Sequence, residues 1–272
     1  MRKIREQENK IQEPVSFLKL APKVKPPLME RKNLARSSHS KVPNSVSMKL
    51  LIKPENDIIR EASENEVDDI INFINNYFLP NEPINKSIQL SMDGYRMPYF
   101  DRWLRVRLEG PRNVTLVAVD GDNQLMGVLV ATILSRGEHV TDPEELTANR
   151  SDRCSEKFKK VLDFLEWFES AAMKQIDEPE ERVDCAILSC RDDRRIPGLG
   201  TALLNKMQEL ARAKGIKYQT VLTTSFYSAR ICQKLGFEEV FSFPYTDYKV
   251  DGKVVFDTEE PHTHSKFWLL KE

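Results

Sequence analysis

Histidine and cysteine are scarce in this chain, four of each in 272 residues, and what is missing around them excludes several classes of protein. Cys154, Cys185, Cys190 and Cys232 show no Cys-x-x-Cys spacing and fall in periodic segments. Each reads as a buried, reduced thiol, which implies a reducing compartment. His262 and His264 are too close and too isolated to hold an ion, so no metal is expected. No Gly-Lys-Ser/Thr follows a glycine turn, which rules out a nucleoside-triphosphate P-loop. No apolar run approaches a membrane span, and the first residues carry charge where a signal peptide is apolar. The chain is therefore expected to be soluble and cytoplasmic, without a membrane partner. No heptad or exposed apolar stripe suggests self-association, so a monomer is expected.

Charge is present in both signs but unevenly placed. The first 53 residues hold thirteen Lys and Arg against four Glu, a net of +9, which leaves −10 for the rest of a chain whose net charge is −1. An acidic body does not suit nucleic acid, whereas it attracts a cationic small molecule over long range. Residues 1–55 carry Pro14, Pro22, Pro26, Pro27, Pro43 and Pro54 among Ser, Lys and Arg. That composition buries too little apolar surface to fold, and it predicts a disordered basic extension ahead of one domain over 56–272.

Within 56–272 the periodicity switches repeatedly between strand and helix. A short strand at 58–62 precedes Ser63 and Glu66 in capping-box spacing, then Val67, Ile70, Ile71, Ile74 and Phe78 at helical intervals. The loop 79–85, with Pro80 and Pro83, ends that helix. Residues 86–108 suggest an irregular helix. Asp120-Gly121 between two β-rich runs predicts an antiparallel hairpin, and Phe158, Val161, Leu162, Leu165 and Phe168 mark an amphipathic helix. A strand at 183–189 leads through a glycine turn into a helix over 199–214, closed by Gly215. A strand at 217–223, a helix at 225–235 closed by Gly236, and strands at 239–243 and 265–270 complete the pattern. Helices between successive strands imply a parallel pair at the centre of a mixed α/β sheet.

The turn Arg194-Arg195-Ile196-Pro197-Gly198-Leu199-Gly200-Thr201 opens a helix. There, free backbone N–H groups and the positive end of the helix dipole suit a phosphate, and the arginines suit a diphosphate. Gly-x-Gly before a helix serves close packing equally well, and both readings stay open. A dinucleotide site wants a third glycine and an acidic residue ending the next strand, where Gln219, Thr220, Thr223 and Thr224 stand instead.

Arg195-Ile196-Pro197-Gly198-Leu199-Gly200 resembles the Arg/Gln-x-x-Gly-x-Gly/Ala signature of the GNAT acetyltransferases. Further segments resemble the insect-type arylalkylamine N-acetyltransferases in family order: Asn81-Glu82-Pro83-Ile84-Asn85, Phe158-Lys159-Lys160-Val161-Leu162, Ser225-Phe226-Tyr227-Ser228-Ala229-Arg230 with Lys234-Leu235-Gly236-Phe237, and Pro244-Tyr245-Thr246-Asp247-Tyr248 with Pro261-His262-Thr263. The resemblance implies a mostly antiparallel mixed sheet with a splayed central parallel pair, flanked by helices. It implies acetyl-coenzyme A as co-substrate, with Ile187, Leu188 and Ser189 along the pantetheine. Arg194, Arg195, Gly198, Leu199, Gly200, Thr201, Ser225 and Arg230 then hold the rest of the cofactor. It also implies direct transfer to the primary amine of an arylalkylamine of the dopamine, octopamine, serotonin or tryptamine type.

The chemistry accounts for the remaining residues. A primary alkylamine is a cation at neutral pH, with a pKa near that of Lys, about 10.4, and must lose a proton before it attacks a thioester. The resemblance makes Glu82 the general base, against the alternative of a solvated loop carboxylate. It puts hydroxyls at Thr224 and Ser228 to protonate the leaving thiolate. Tyr227 is a proton donor, a cofactor contact or a core aromatic, and Ser225 is more naturally an N-cap than a catalyst. A backbone N–H near Leu188 or Ser189 suits the oxyanion. Asp184 matches a position near the amine pocket, although a carboxylate at a strand edge is commonly solvent-facing. Phe73, Tyr77, Tyr99, Phe100, Trp103, Trp167 and Phe168 either line an aromatic pocket or, as helical spacing favours, form core. Ile196 and Pro197 depart from the family pattern, and Pro197 cannot donate to a phosphate. Other acceptors (a polyamine, an amino acid, a peptide), a longer acyl chain, and a coenzyme A-binding module without turnover remain open.

Overall fold

In a computed structural model of the chain, residues 58–90, 97–138 and 156–272 are described. The extension expected over 1–55 and Cys154 lie outside them. The strands are β1 (Ile58–Glu61), β2 (Leu116–Val119), β3 (Leu125–Ser135), β4 (Glu181–Cys190), β5 (Tyr218–Thr223), β6 (Glu238–Pro244), β7 (Lys249–Val250), β8 (Lys253–Val254) and β9 (His264–Lys271). The helices are α1 (Val67–Phe73), α2 (Pro83–Ser87), α3 (Pro98–Glu109), α4 (Glu156–Met173), α5 (Leu199–Ala213) and α6 (Phe226–Lys234). Seven strands form one sheet in the order β1-β2-β3-β4-β5-β9-β6, and β7 pairs with β8 in a separate ribbon. Among the described residues only β4 and β5 run parallel; the other pairs in the sheet are antiparallel. The expected mixed, mostly antiparallel sheet with a central parallel pair is present.

Strand periodicity divides the interior into two layers. Val117, Val119, Val128 and Val130 face α1, α3 and α4, whereas Leu116, Ala118, Leu129 and Ala131 face α5 and α6. The aromatic residues expected to be core are core: Phe73, Tyr99, Phe100 and Phe168 are buried, while Tyr77, Trp103 and Trp167 pack against them half-buried.

One irregularity positions the site. Along β4, Val183 and Cys185 face the α5 layer, but Ile187 faces the α1 layer although its parity is the same. The cause is a bulge at Ala186, where Val130 pairs with Ile187 and Ala131 with Cys185; one extra residue turns the rest of the strand over. Pairing of β4 with β5 ends at the same point, Cys185 with Val221. Beyond it β4 stays with β3 and β5 with β9, so the sheet opens into a cleft between the carboxyl ends of the parallel pair.

Two elements differ from expectation. The single irregular helix of 86–108 is two helices: α2, which ends before Gln89 at φ +55°, and α3, which starts at Pro98. Proline fits a first helical turn, where no N–H is needed, so Pro98 begins a helix rather than lying within one. The first helix ends in a π-helical turn, Ile74–Phe78, an element common at functional sites. It delivers the chain to Asn81 and Glu82.

Candidate active site

Glu82 is the N-cap of α2, with extended backbone (φ −71°, ψ 127°) ahead of Pro83 at N1. Its carboxylate accepts the amide N–H groups of Ile84 at 3.2 Å and Asn85 at 2.7 Å. It is only 6% exposed, which removes the solvated-loop alternative. Burial pushes its pKa up from the usual 4.5, opposed by a hydrogen bond from the Thr224 side chain and by the two amides. The result is a carboxyl held near the cleft whose affinity for a proton exceeds that of a surface glutamate.

Thr224 directly follows β5, at the rim of the cleft. Its carbonyl accepts the Tyr245 hydroxyl at 2.6 Å. Ser225 is the N-cap of α6: its hydroxyl accepts the Ser228 amide at 3.2 Å, and the Ser228 hydroxyl donates to the Ser225 carbonyl at 3.0 Å. The cap reading of Ser225 is therefore what the fold uses, and Thr224, Ser225 and Ser228 share one turn. Tyr227 is 63% exposed, which excludes the core alternative. Its ring meets the His262 ring edge-on at 5.4 Å, while His262 Nδ1 accepts the Phe226 amide at 3.2 Å. The alternation of N–H groups along β4 separates Leu188 from Ser189. The Arg191 amide donates to Met126 of the β3 side at 2.9 Å, so by strand parity the Ser189 and Ile187 amides also face β3, and the Leu188 amide faces the opening.

The glycine turn is used for close packing, and its first-turn amides are left open. Gly198 caps α5 at φ +85°, where a side chain is strained. A Cβ on Gly200 would stand 3.2 Å from Ile231 Cδ1 of α6, so this glycine also allows close packing. The Leu199 amide donates to the Ile196 carbonyl at 3.2 Å, which leaves Gly200 and Thr201 as first-turn donors. Arg194 pairs with Asp120 at 3.2 Å, and Arg195 and Arg230 are exposed. Arg191 holds Asp193 through two bonds of 2.8 and 2.6 Å. Tyr77 reaches Asp193 at 3.3 Å and Asn81 reaches Asp192 at 3.0 Å, so the turn and the Glu82 loop are tied together.

Asp184 is buried at 8% exposure, not solvent-facing, and accepts the Thr220 hydroxyl at 2.9 Å across the parallel pair. It shares this depth with Arg107 of α3 and Glu169 of α4. Arg107 is 7% exposed and stacks over the Trp103 ring at 4.4 Å; its Nε and Nη1 have no acceptor among the described residues. Burial lowers its pKa to about 10, partly offset by Asp184 and Glu169, so it stays charged at neutral pH. Glu169 is half-buried as a residue, yet its carboxyl is pushed up to about 7, by desolvation first and by the Asp184 charge second. Arg107 and Glu169 have no signal in the sequence, because each occupies one position of an ordinary amphipathic helix. Cys185 and Cys232 are buried, Cys190 is half-buried, and burial raises all three thiols, which keeps them protonated and unreactive.

No protein-family model matches the chain. Among solved structures, arylalkylamine N-acetyltransferase 2 from Aedes aegypti aligns with 79% of this chain and 98% of its own, at 27% identity and a TM-score of 0.69. A mosquito arylalkylamine N-acetyltransferase like 5b aligns with 79% and 100% at 21% identity and 0.65. The Drosophila melanogaster polyamine N-acetyltransferase, which catalyses the formation of N-acetylagmatine, aligns with 79% and 100% at 20% identity and 0.64. The chain has the GNAT fold, and its structural neighbours include the insect arylalkylamine N-acetyltransferases.

Proposed function

We propose that this chain transfers an acetyl group from acetyl-coenzyme A directly to a primary amine, with Glu82 as the general base. The observation that carries the reading is the buried Glu82 carboxyl beside Thr224, at the rim of the cleft between β4 and β5. Glu82 takes one proton from the ammonium, and the freed nitrogen lone pair attacks the thioester carbonyl. The Leu188 amide, turned toward the opening, meets the oxyanion. The C–S bond then breaks as the nitrogen gives up its second proton. The departing thiolate takes a proton from a hydroxyl of the Thr224 to Ser228 turn, or from Tyr227; that hydroxyl is restored by the proton leaving the nitrogen, and Glu82 passes its own proton to solvent. Gly200, Thr201 and Arg195 suit the pyrophosphate, whereas Arg194 must exchange Asp120 for phosphate oxygen if it takes part.

An arylalkylamine is the acceptor we favour, on the ordered motifs and the Aedes aegypti neighbour at 27% identity. A polyamine or agmatine is the second reading, supported by the similarly close fit of the Drosophila melanogaster polyamine enzyme and by the acidic body. Free-thiol release from acetyl-coenzyme A, measured with a panel of arylalkylamines, polyamines and amino acids, separates them. Release with aromatic amines alone, cut about 10²- to 10⁴-fold at pH 7 by Glu82→Gln, is the expected result. Release with agmatine or polyamines alone supports the second reading. Cofactor binding without release by any amine overturns the acetyl-transfer reading in favour of a coenzyme A-binding module.

A further inference from the structure

Tyr245 follows β6 in a short 3-10 turn, is 1% exposed, and lies outside the loop and helix that carry Glu82, Thr224 and Ser228. A phenol this deep in an aromatic layer is costly unless its hydroxyl is used. Its ring packs against Phe164 of α4 at 5.9 Å and Phe256 at 6.3 Å. Its hydroxyl donates to the Thr224 carbonyl at 2.6 Å. The backbone next to that carbonyl is held from the other side as well: Trp268 Nε1 donates to the Thr223 hydroxyl at 2.9 Å, which donates to the Lys266 carbonyl at 3.3 Å. Ser265, fully buried, points its hydroxyl at the Thr223 carbonyl at 3.4 Å. The carboxyl end of β5 is thus fixed at two successive carbonyls, and the Thr224 side chain is the hydroxyl that opposes the rise in the Glu82 pKa.

We infer that Tyr245 is a positioning residue for the base: by holding the Thr224 carbonyl it aims the Thr224 hydroxyl at the Glu82 carboxylate and so sets how strongly that carboxylate holds a proton. The inference rests on the proposed role of Glu82. The groups packed against Glu82 are the Thr224 hydroxyl, the Ile84 and Asn85 amides and, at Coulombic range, the Tyr245 phenol. On the α2 side, Lys86 pairs with Glu259 in solvent at 2.9 Å, with His262 within Coulombic range of both. A hydrogen bond donated to a carboxylate favours its ionised form. If the Thr224 hydroxyl loses its aim, Glu82 becomes a weaker acid, and the pH above which it is free to take a proton rises.

The test titrates the Glu82 carboxyl carbon by NMR in cofactor-free, glutamate-labelled protein, with Glu82→Gln to assign the resonance. Tyr245→Phe should make Glu82 about three- to tenfold weaker as an acid, a part of the worth of one hydrogen bond to the charged form, because the Thr224 hydroxyl is misaimed and not removed. Thr224→Val should shift it the same way, and the double variant no further than the larger single change, because both act through one bond. Phe256→Leu loosens the same aromatic packing; it should lower Tm and leave the Glu82 titration in place. In the wild type and Tyr245→Phe, the acid limb of kcat/KM for thiol release should move with the NMR midpoint. An unchanged Glu82 titration in Tyr245→Phe overturns the inference, as do fully additive shifts or an equal shift in Phe256→Leu. A titration that behaves as expected in a chain that acetylates no amine overturns only the proposed reaction.

Discussion

At the residue scale, Glu82 serves two ends that oppose each other. As an N-cap it stabilises α2 through two amides, and as a buried carboxyl it resists ionisation. Its folded pKa lies above the unfolded 4.5, so the folded protein binds that proton more tightly than the unfolded chain does. The contribution to stability is complete below pH 4.5 and is lost as pH rises through the folded value. Glu82→Gln should therefore melt no lower than the wild type at pH 8, where the wild type has lost stability that it holds below pH 4.5. Thiol release at pH 7 should fall by about 10²- to 10⁴-fold, the usual share of a general base, with partial recovery as alkaline pH deprotonates the amine. A variant that melts well below the wild type at pH 8 contradicts this account of the residue. Sequence already pointed to Glu82, because a family motif surrounds it. Its burial was not legible, since nothing local shows that Thr224, 142 positions away in the chain, comes beside it.

At the element scale, the two helices that end at the cleft start in different ways. α6 is capped by the Ser225 hydroxyl, whereas α5 starts at Gly198 in the left-handed region with no side-chain cap. Ser225→Ala should cost about 1 kcal/mol, as N-cap losses generally do. Gly198→Ala should cost about 1–2 kcal/mol from strain at φ +85°. Denaturant melts give both costs; the Gly198 change should also weaken coenzyme A binding in calorimetry, because it reshapes the donor turn. Strand and helix identities followed from periodicity and glycine stops. The bulge at Ala186 did not, because nothing in Cys185-Ala186-Ile187 departs from a buried strand until β3 supplies the register.

At the scale of the whole molecule, groups that favour folding at opposite ends of the pH range coexist. Glu66 is held at about 2, first by the Arg60 guanidinium, so its contribution is present above pH 4.5 and lost as pH falls toward 2. Glu169 behaves the other way: its contribution is present below pH 4.5 and lost as pH rises through about 7. Glu169→Gln should raise Tm relative to the wild type at pH 8 and leave the two equal near pH 4.5, which thermal melts across that range will read. If the wild type and variant keep a constant difference in Tm at every pH, Glu169 does not carry this titration.

The sequence by itself determined most of the strands and helices, though not α2 or the β7–β8 ribbon, together with the glycine turn, the hairpin at Asp120-Gly121 and the positions of Glu82, Thr224 and Ser228, because periodicity, turn chemistry and motif are local. Only the tertiary structure decided that β4 and β5 part at Ala186, that Ser189 spends its amide on β3, that Asp184 is buried with Arg107 and Glu169, and that Tyr245 holds Thr224. Each of these joins residues far apart in the chain, and burial, register and hydrogen-bond partnership exist only once the layers have packed.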